Sequence, residues 1–328
     1  MTKGLPPPLR HYFSFFAGLD DPARARYAYL FLPKWKLKME QAIAKAQTLI
    51  EALGYIQRFL DKIVVVKMGG SVMDDERAMS DILTDIVFMN TVGMRPVIIH
   101  GGGKAINNAM EQRGLEVQFV QGRRYTDHRT LTVVEHVLCS EINRQIVTTI
   151  EALGSSAMGL HTLSSGVLFG EKLFLEDGDL KIDLGFVGKV TCVNAKLLNL
   201  LCQADTVPVI APLARDKTGA KLNCNADTAA GEVAAALKAE KLVVISDTHG
   251  IRRDAKDPST MIPSLTQAEI QAMVADGTIS SGMLPKVEAC LKALDAGVAK
   301  THIIDGKIPH ALLLEIFSDK GVGTLIQK

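Results

Sequence analysis

Short, nearly continuous apolar runs alternate along this chain with longer stretches whose apolar positions recur every three or four residues. The runs at 63–66, 96–100, 207–210 and 241–245 are rich in valine and isoleucine and predict buried strands. His302-Ile303-Ile304 predicts a further short one. The helical pattern covers 75–92, begins again near 104, and returns over 130–153, 227–237, 267–276, 284–296 and 310–317. Strands apolar on both faces, separated by amphipathic helices, predict an α/β fold with a mostly parallel central sheet covered on both sides. Residues 166–190 alternate instead, with Gly178 and Gly185 as turn signals, and are expected to form antiparallel hairpins at the sheet margin. Ahead of the first strand, Ile43, Ala46, Leu49, Ile50, Leu53, Ile56 and Phe59 give 37–60 a helical apolar face. No repeat of fixed period is present.

Composition narrows the class. The 328 residues are 47% apolar with net charge +1, which supports a large core and excludes a mainly disordered chain. That balance gives no global attraction to nucleic acid, and no apolar run reaches the ~18 residues of a membrane span. Five scattered cysteines, without a Cys-x-x-Cys pair, fit a reducing cytoplasm rather than a zinc site, and no signal peptide is read at the start. Charge is uneven: residues 1–38 carry seven basic and two acidic residues, net +5. They also hold Tyr12, Phe13, Phe15, Phe16, Tyr27, Tyr29, Phe31 and Trp35, too apolar for a typical tail, so an added packing element is expected.

Candidate chemistry gathers where strands should end. Gly69-Gly70 and Gly101-Gly102-Gly103 each follow an apolar run and precede a helix. Such turns bring backbone N–H groups and a helix N-terminus toward an anion. Neither is a Walker A loop, and Ile106 breaks the dinucleotide fingerprint. Lys67 aims a cation at the first turn, and Lys286 sits in the opening turn of a helix, where the dipole disfavours it. Asn223-Cys224-Asn225-Ala226-Asp227 opens a helix with more polar groups than a cap requires, and Asp227 could bridge the two lysines. Arg124 could clasp a carboxylate bidentately, and Ser246-Asp247 follow a strand as nucleotide contacts would. Each has a plainer reading when taken alone: a tight turn, a lysine snorkelling from a strand end, an N-cap, a surface ion pair. The histidines show no metal spacing.

In order, Val66-Lys67-Met68-Gly69-Gly70, His100-Gly101-Gly102-Gly103, Gly122-Arg123-Arg124-Tyr125-Thr126-Asp127, Asn223–Asp227, Ser246-Asp247 and Gly282-Met283-Leu284-Pro285-Lys286 resemble the amino acid kinase family across roughly residues 40–328. The resemblance implies a three-layer αβα sandwich. It implies an N-terminal extension with an oligomerisation helix over 1–60, an N-acetylglutamate lobe over 61–236, and an ATP lobe with a regulatory end over 237–328. It points to members that use ATP to phosphorylate the side-chain carboxylate of N-acetyl-L-glutamate in arginine biosynthesis. In that role Lys67 and Lys286 would stabilise the transferring phosphoryl group, with Asp227 organising both. Gly102, Gly103, Arg124 and Asn223 would bind N-acetylglutamate. Gly69, Gly70, Ser246 and Asp247 would serve the nucleotide. Mg²⁺ would be held mainly by the nucleotide phosphates, with no metal site of the chain's own.

The helix over 37–60 and the C-terminal stretch are similar to those of arginine-inhibited members. By that resemblance Tyr55, His302, Glu315 and Gly321 would contact arginine, and the chain would form a homodimer or a hexameric trimer of dimers. A PII-type signal protein binds some members of the family; the sequence leaves open whether this chain has that partner. The family's glycine-rich turn after Gly159-Leu160 is here His161-Thr162-Leu163-Ser164-Ser165-Gly166, which bears on acyl-group preference. Two rival readings are a kinase for an amino-blocked aminoadipate and a non-catalytic arginine-sensing subunit.

Overall fold

The computed structural model describes residues 34–328 apart from 179, 255, 280, 281, 319 and 320. The packing role expected for the aromatic residues from Tyr12 to Phe31 lies outside the described residues. The chain divides into two compact units, one ending at Gly54 and one running Tyr55–Lys328. Helix α1 (Lys34–Phe59) realises the apolar periodicity of 37–60. Its Ile43, Leu49, Ile50 and Leu53 are exposed, whereas Phe59 is buried.

In the second unit the strands are β1 (Ile63–Met68), β2 (Arg95–His100), β3 (Phe119–Val120), β4 (Arg123–Arg124), β5 (Ser156–Leu160), β6 (Leu168–Asp177) and β7 (Leu180–Val193). They continue with β8 (Thr206–Ile210), β9 (Leu213–Arg215), β10 (Lys221–Cys224), β11 (Lys241–Ser246), β12 (Ser264–Thr266), β13 (Lys300–Asp305) and β14 (Thr324–Gln327). Eight of them, among the described residues, form one sheet ordered β12-β14-β13-β11-β1-β2-β8-β5. The six from β13 to β5 are mutually parallel; β14 runs antiparallel to β13, and β12 parallel to β14. The apolar runs mark the central strands, because those are buried on both faces. The short or glycine-containing edge strands β5, β12 and β14 give no such signal.

Helices cover both faces. One layer holds α2 (Glu76–Thr91), α3 (Gly103–Gln112), α4 (His128–Glu135), α5 (Arg144–Ala152) and a late helix at Ala311–Ile316. The other holds α6 (Ala195–Gln203), α7 (Ala226–Leu237), α8 (Gln267–Ala275) and α9 (Leu284–Asp295). The late helix is α10. Strand alternation divides the core between them: Val64, Val66 and Met68 of β1 pack toward the first layer and Val65 toward the second. The Asp75 carboxylate caps α2 by accepting from the Arg77 and Ala78 amides, each at 3.0 Å.

Two expectations need correction. The alternating segment does form an antiparallel pair, β6–β7, but not at the margin of the main sheet. Both outer edges are taken by β9 and β10, which close it into a separate four-stranded barrel, and register shifts along β6 allow the curvature. The single helix expected over 130–153 is α4 and α5 joined by a π-helical stretch, His136–Asn143. The wider turn keeps Leu138, Ile142 and Asn143 all buried.

Candidate active site

Three central strands deliver the site. Met68 of β1 lies beside His100 of β2 and Ile245 of β11, so their carboxyl ends open together. Alternation turns Lys67 to the same side as Val65, toward α7. Asn225 caps α7 by accepting from the Thr228 amide at 3.0 Å, which leaves Asp227 in its first turn. The Lys67 Nζ stands 2.7 Å from Asp227 Oδ1, as an ion pair without hydrogen-bond alignment. From α9, Lys286 Nζ stands 3.9 Å from Asp227 Oδ2 and donates to the Gly282 carbonyl at 3.0 Å. The dipole mismatch at Lys286 is thus offset by a carboxylate and a carbonyl. All three side chains are largely buried, Lys67 at 6%, Asp227 at 10% and Lys286 at 18% exposure. Two cations share one anion.

A cavity of about 250 Å³ opens beside this trio, lined by Lys67, Gly70, Gly102, Gly103, Arg124, Asn223 and Asp227. Gly70 and the glycine loop face each other: a Cβ on Gly70 would sit 3.5 Å from the Gly103 amide nitrogen and 3.9 Å from that of Gly102. Gly102 has no room for a side chain, since its Cβ would meet Leu138 at 2.7 Å and Ile142 at 2.8 Å. Arg124 donates to the Gly103 carbonyl at 3.1 Å and Asn107 Oδ1 at 2.5 Å, and its guanidinium lies 4.9 Å from the Phe119 ring centre. Burial lowers its pKa from the ordinary value, but a guanidinium stays charged. Asn223 donates to Thr126 Oγ1 at 3.2 Å. The apolar wall of Ile106, Phe119, Leu138, Val187 and Pro212 has no counterpart in the sequence motifs, because it is assembled from separate elements.

The remaining sequence candidates fall around this cavity. Gly69 is the residue before the helical turn Gly70–Met73. Ser246 ends β11, and its hydroxyl donates to Asp247 Oδ1 at 3.3 Å. Neither lines the cavity with Lys67, but β11 pairs directly with β1, so both lie along the same strand-end opening. Among the described residues no group of three His, Cys, Asp or Glu could hold a metal ion.

His302, Glu315 and Gly321 gather in a second cluster, with Tyr55 reaching Phe317 two residues past Glu315. His302 Nδ1 donates to Glu315 Oε1 at 2.6 Å, and Glu315 Oε2 accepts from the Val322 amide at 2.6 Å and the Gly323 amide at 3.2 Å. Gly321 has φ +58°, and a Cβ there would lie 2.8 Å from Glu315 Oε2. Tyr55 meets Phe317 edge-on at 6.2 Å between ring centres. Burial holds His302 below its ordinary pKa, hence neutral near pH 7. Burial alone would raise Glu315, but the His302 hydrogen bond and the two amides bring it below its ordinary value. Sequence reasoning did not single out Lys241, which lies on β11 under the Phe59 ring at 4.9 Å; burial pulls its pKa down to about 8. In register it pairs with Lys300, while Val243, two residues on, pairs with His302; a lysine opening an apolar run was its sequence signal.

The sequence profile of the amino acid kinase family matches residues 62–305. The chain belongs to that family. It is 46% identical over 290 residues to an acetylglutamate kinase of Halothermothrix orenii, covering 88% of this chain and 99% of that one. It is 45% identical over 297 residues to an acetylglutamate kinase of Methanocaldococcus jannaschii, covering 89% and 99%. An N-acetylglutamate synthase structure from Neisseria gonorrhoeae, complexed with coenzyme A and N-acetyl-glutamate, superposes with TM-score 0.77 at 23% identity. That likeness shows the fold, covering 86% of this chain and 63% of the synthase. The fold gathers Lys67, Gly102, Gly103, Arg124, Asn223 and Asp227 around one cavity, with Lys286 beside Asp227.

Proposed function

We propose that this kinase transfers the γ-phosphoryl group of ATP to the side-chain carboxylate of N-acetyl-L-glutamate, giving N-acetyl-L-glutamyl 5-phosphate for arginine biosynthesis. The observation that carries the reading is Asp227 held between Lys67 and Lys286 at a cavity floored by backbone amides. The nucleophile is a carboxylate, ionised at pH 7, so the reaction needs no general base. Its oxygen attacks the γ-phosphorus while the bond to the β–γ bridging oxygen breaks and ADP leaves. The obstacle is repulsion between two anions, and the answer is positive potential where charge shifts.

Lys67 and Lys286 supply that potential from opposite sides of Asp227, which keeps either from swinging away. The amides of Gly70, Gly102 and Gly103 face the same space. Arg124 would hold the α-carboxylate, and Asn223, steadied by Thr126, the acetylamino group. The apolar wall suits the acetyl methyl. A Mg²⁺ ion carried by the nucleotide phosphates would screen their charge. The nucleotide would lie along the strand ends toward Ser246 and Asp247, in a lobe over 237–328, with N-acetylglutamate in the lobe over 61–236.

Arginine as an inhibitor at Tyr55, His302, Glu315 and Gly321, a homodimer or hexamer built through α1, and a cytoplasmic location complete the reading. Exposed Ile43, Leu49, Ile50 and Leu53 support the oligomer. No helix among the described residues is long and apolar enough to cross a membrane. Trapping the acyl phosphate with hydroxylamine tests the chemistry. Hydroxamate that requires both ATP and N-acetylglutamate supports it, and its absence refutes it. Suppression of the signal by millimolar arginine tests the regulatory site separately.

A further inference from the structure

His100 ends β2, immediately before the three-glycine loop, and is fully buried. It has the same strand parity as Ile98, so it points away from Lys67 and into the first helical layer. There it meets Asn143, the last residue of the π-helical stretch. Asn143 Nδ2 lies 3.1 Å from His100 Nε2 and 2.9 Å from the Val209 carbonyl. An amide NH₂ has two hydrogens, and both are directed at acceptors in this arrangement. His100 Nε2 therefore accepts, which leaves the proton on Nδ1. That nitrogen lies 3.0 Å from the Gly101 carbonyl and donates to it.

The Gly101 carbonyl and the Gly102 N–H belong to one planar peptide unit. Holding the oxygen fixes the opposite end, the amide that faces Gly70 across the cavity. The π-helical stretch also backs this peptide, since Leu138 and Ile142 fill the space where a Gly102 Cβ would stand. We propose that His100 is a positioning residue: through the Gly101 carbonyl it fixes the Gly102 amide for the phosphoryl group, in a tautomer set by Asn143. This rests on the phosphoryl-transfer reading of the cavity. A neutral, internally paired histidine cannot relay protons to the substrate, so its effect must pass through the peptide.

Two measurements test it. Nitrogen-15 spectra of histidine-labelled protein report the tautomer directly. A protonated Nδ1 on His100 between pH 6 and 8 is expected; a protonated Nε2 would overturn the proposal whatever the enzyme phosphorylates. The kinetic arm compares His100→Asn, whose amide can replace the Nδ1 donor, with His100→Gln, whose amide reaches the Nε2 position instead. His100→Gln should lower kcat by ~10–100-fold with KM for both substrates within about threefold, because the donor is misaimed rather than removed. His100→Asn should recover kcat to within about fivefold of the parent. Equal kcat losses in two folded variants, or a loss confined to KM, would show that His100 only fills space. Hydroxamate formation by the parent protein separates failure of this proposal from failure of the functional reading.

Discussion

The strand-end cavity and the His302–Glu315 cluster are both buried and both charged, yet they spend their charge differently. In the cavity, Lys67 and Lys286 share Asp227 while Arg124 is held by neutral groups, so positive charge is left over beside inward-facing amides. In the cluster, Glu315 accepts from His302 and two backbone amides, and neutral His302 keeps one unpaired ring nitrogen, Nε2. Uncompensated buried cations cost stability and persist where an anion is to be bound. A satisfied carboxylate fixes a backbone segment instead. The difference separates a region with positive charge to spare from one whose carboxylate ties down the C-terminal stretch.

Removing a cation from the first region is the sharpest way to break this contrast. Lys67→Met should lower kcat by ~10²–10³-fold, because it deletes charge stabilisation made in the transition state. Unfolding free energy should change far less, since Lys286 remains beside Asp227. Steady-state kinetics with denaturant unfolding on the same variant checks both. A large stability loss with kcat preserved would make the trio structural and erase the contrast.

Each region also contains one buried histidine, and pH reads their shares. Burial pushes His100 to about 4 from an ordinary 6.5, and depresses His302 as well. As pH falls below 6.5 the unfolded chain takes up protons that the folded one refuses. Stability should therefore drop between pH 6.5 and 4, by about 3 kcal/mol for His100 alone. Urea titrations of the parent and His100→Asn should show the variant losing that part of the slope and keeping the His302 part. An unchanged slope would mean that His100 is already solvated.

Much of this was legible beforehand, for a physical reason. A strand buried on both faces must be apolar throughout, so β1, β2, β8 and β11 announce themselves, and a lysine closing such a run is conspicuous. Asp227 could be paired with two lysines on paper because capping alone did not require it. The barrel closure was not legible, since the alternation of 166–190 looks the same in an open hairpin and in one whose edges are both filled. Nor was the π-helical stretch, because the apolar spacing of 130–153 fits an ordinary helix. Asn143 among Leu138, Ile142 and Ile146 was the one trace of it, a polar residue on the buried face.

The second region can be broken through its backbone. Gly321→Ala must hold a side chain at φ +58° and place its Cβ 2.8 Å from Glu315 Oε2. A loss of about 1–3 kcal/mol in stability is expected, with kcat nearly unchanged and any arginine response weakened. Thermal unfolding and turnover on the same preparation separate these. A kcat loss as large as that of Lys67→Met would show that the two regions are not independent.

The smallest expected effect tests the premise that burial is what gives these charges weight. Lys104 sits one residue after the glycine loop, close in sequence to the cavity, but its side chain is 67% exposed and pairs with Asp74 at 3.1 Å. Water already solvates that cation, and an exposed pair contributes little, so Lys104→Ala should change unfolding free energy by no more than about 0.5 kcal/mol. On the same argument kcat should stay within about threefold of the parent. A kcat loss approaching that of Lys67→Met would mean that Lys104 is drawn in and desolvated when the anionic ligand binds. Exposure in this structure would then no longer separate the cations that matter from those that do not.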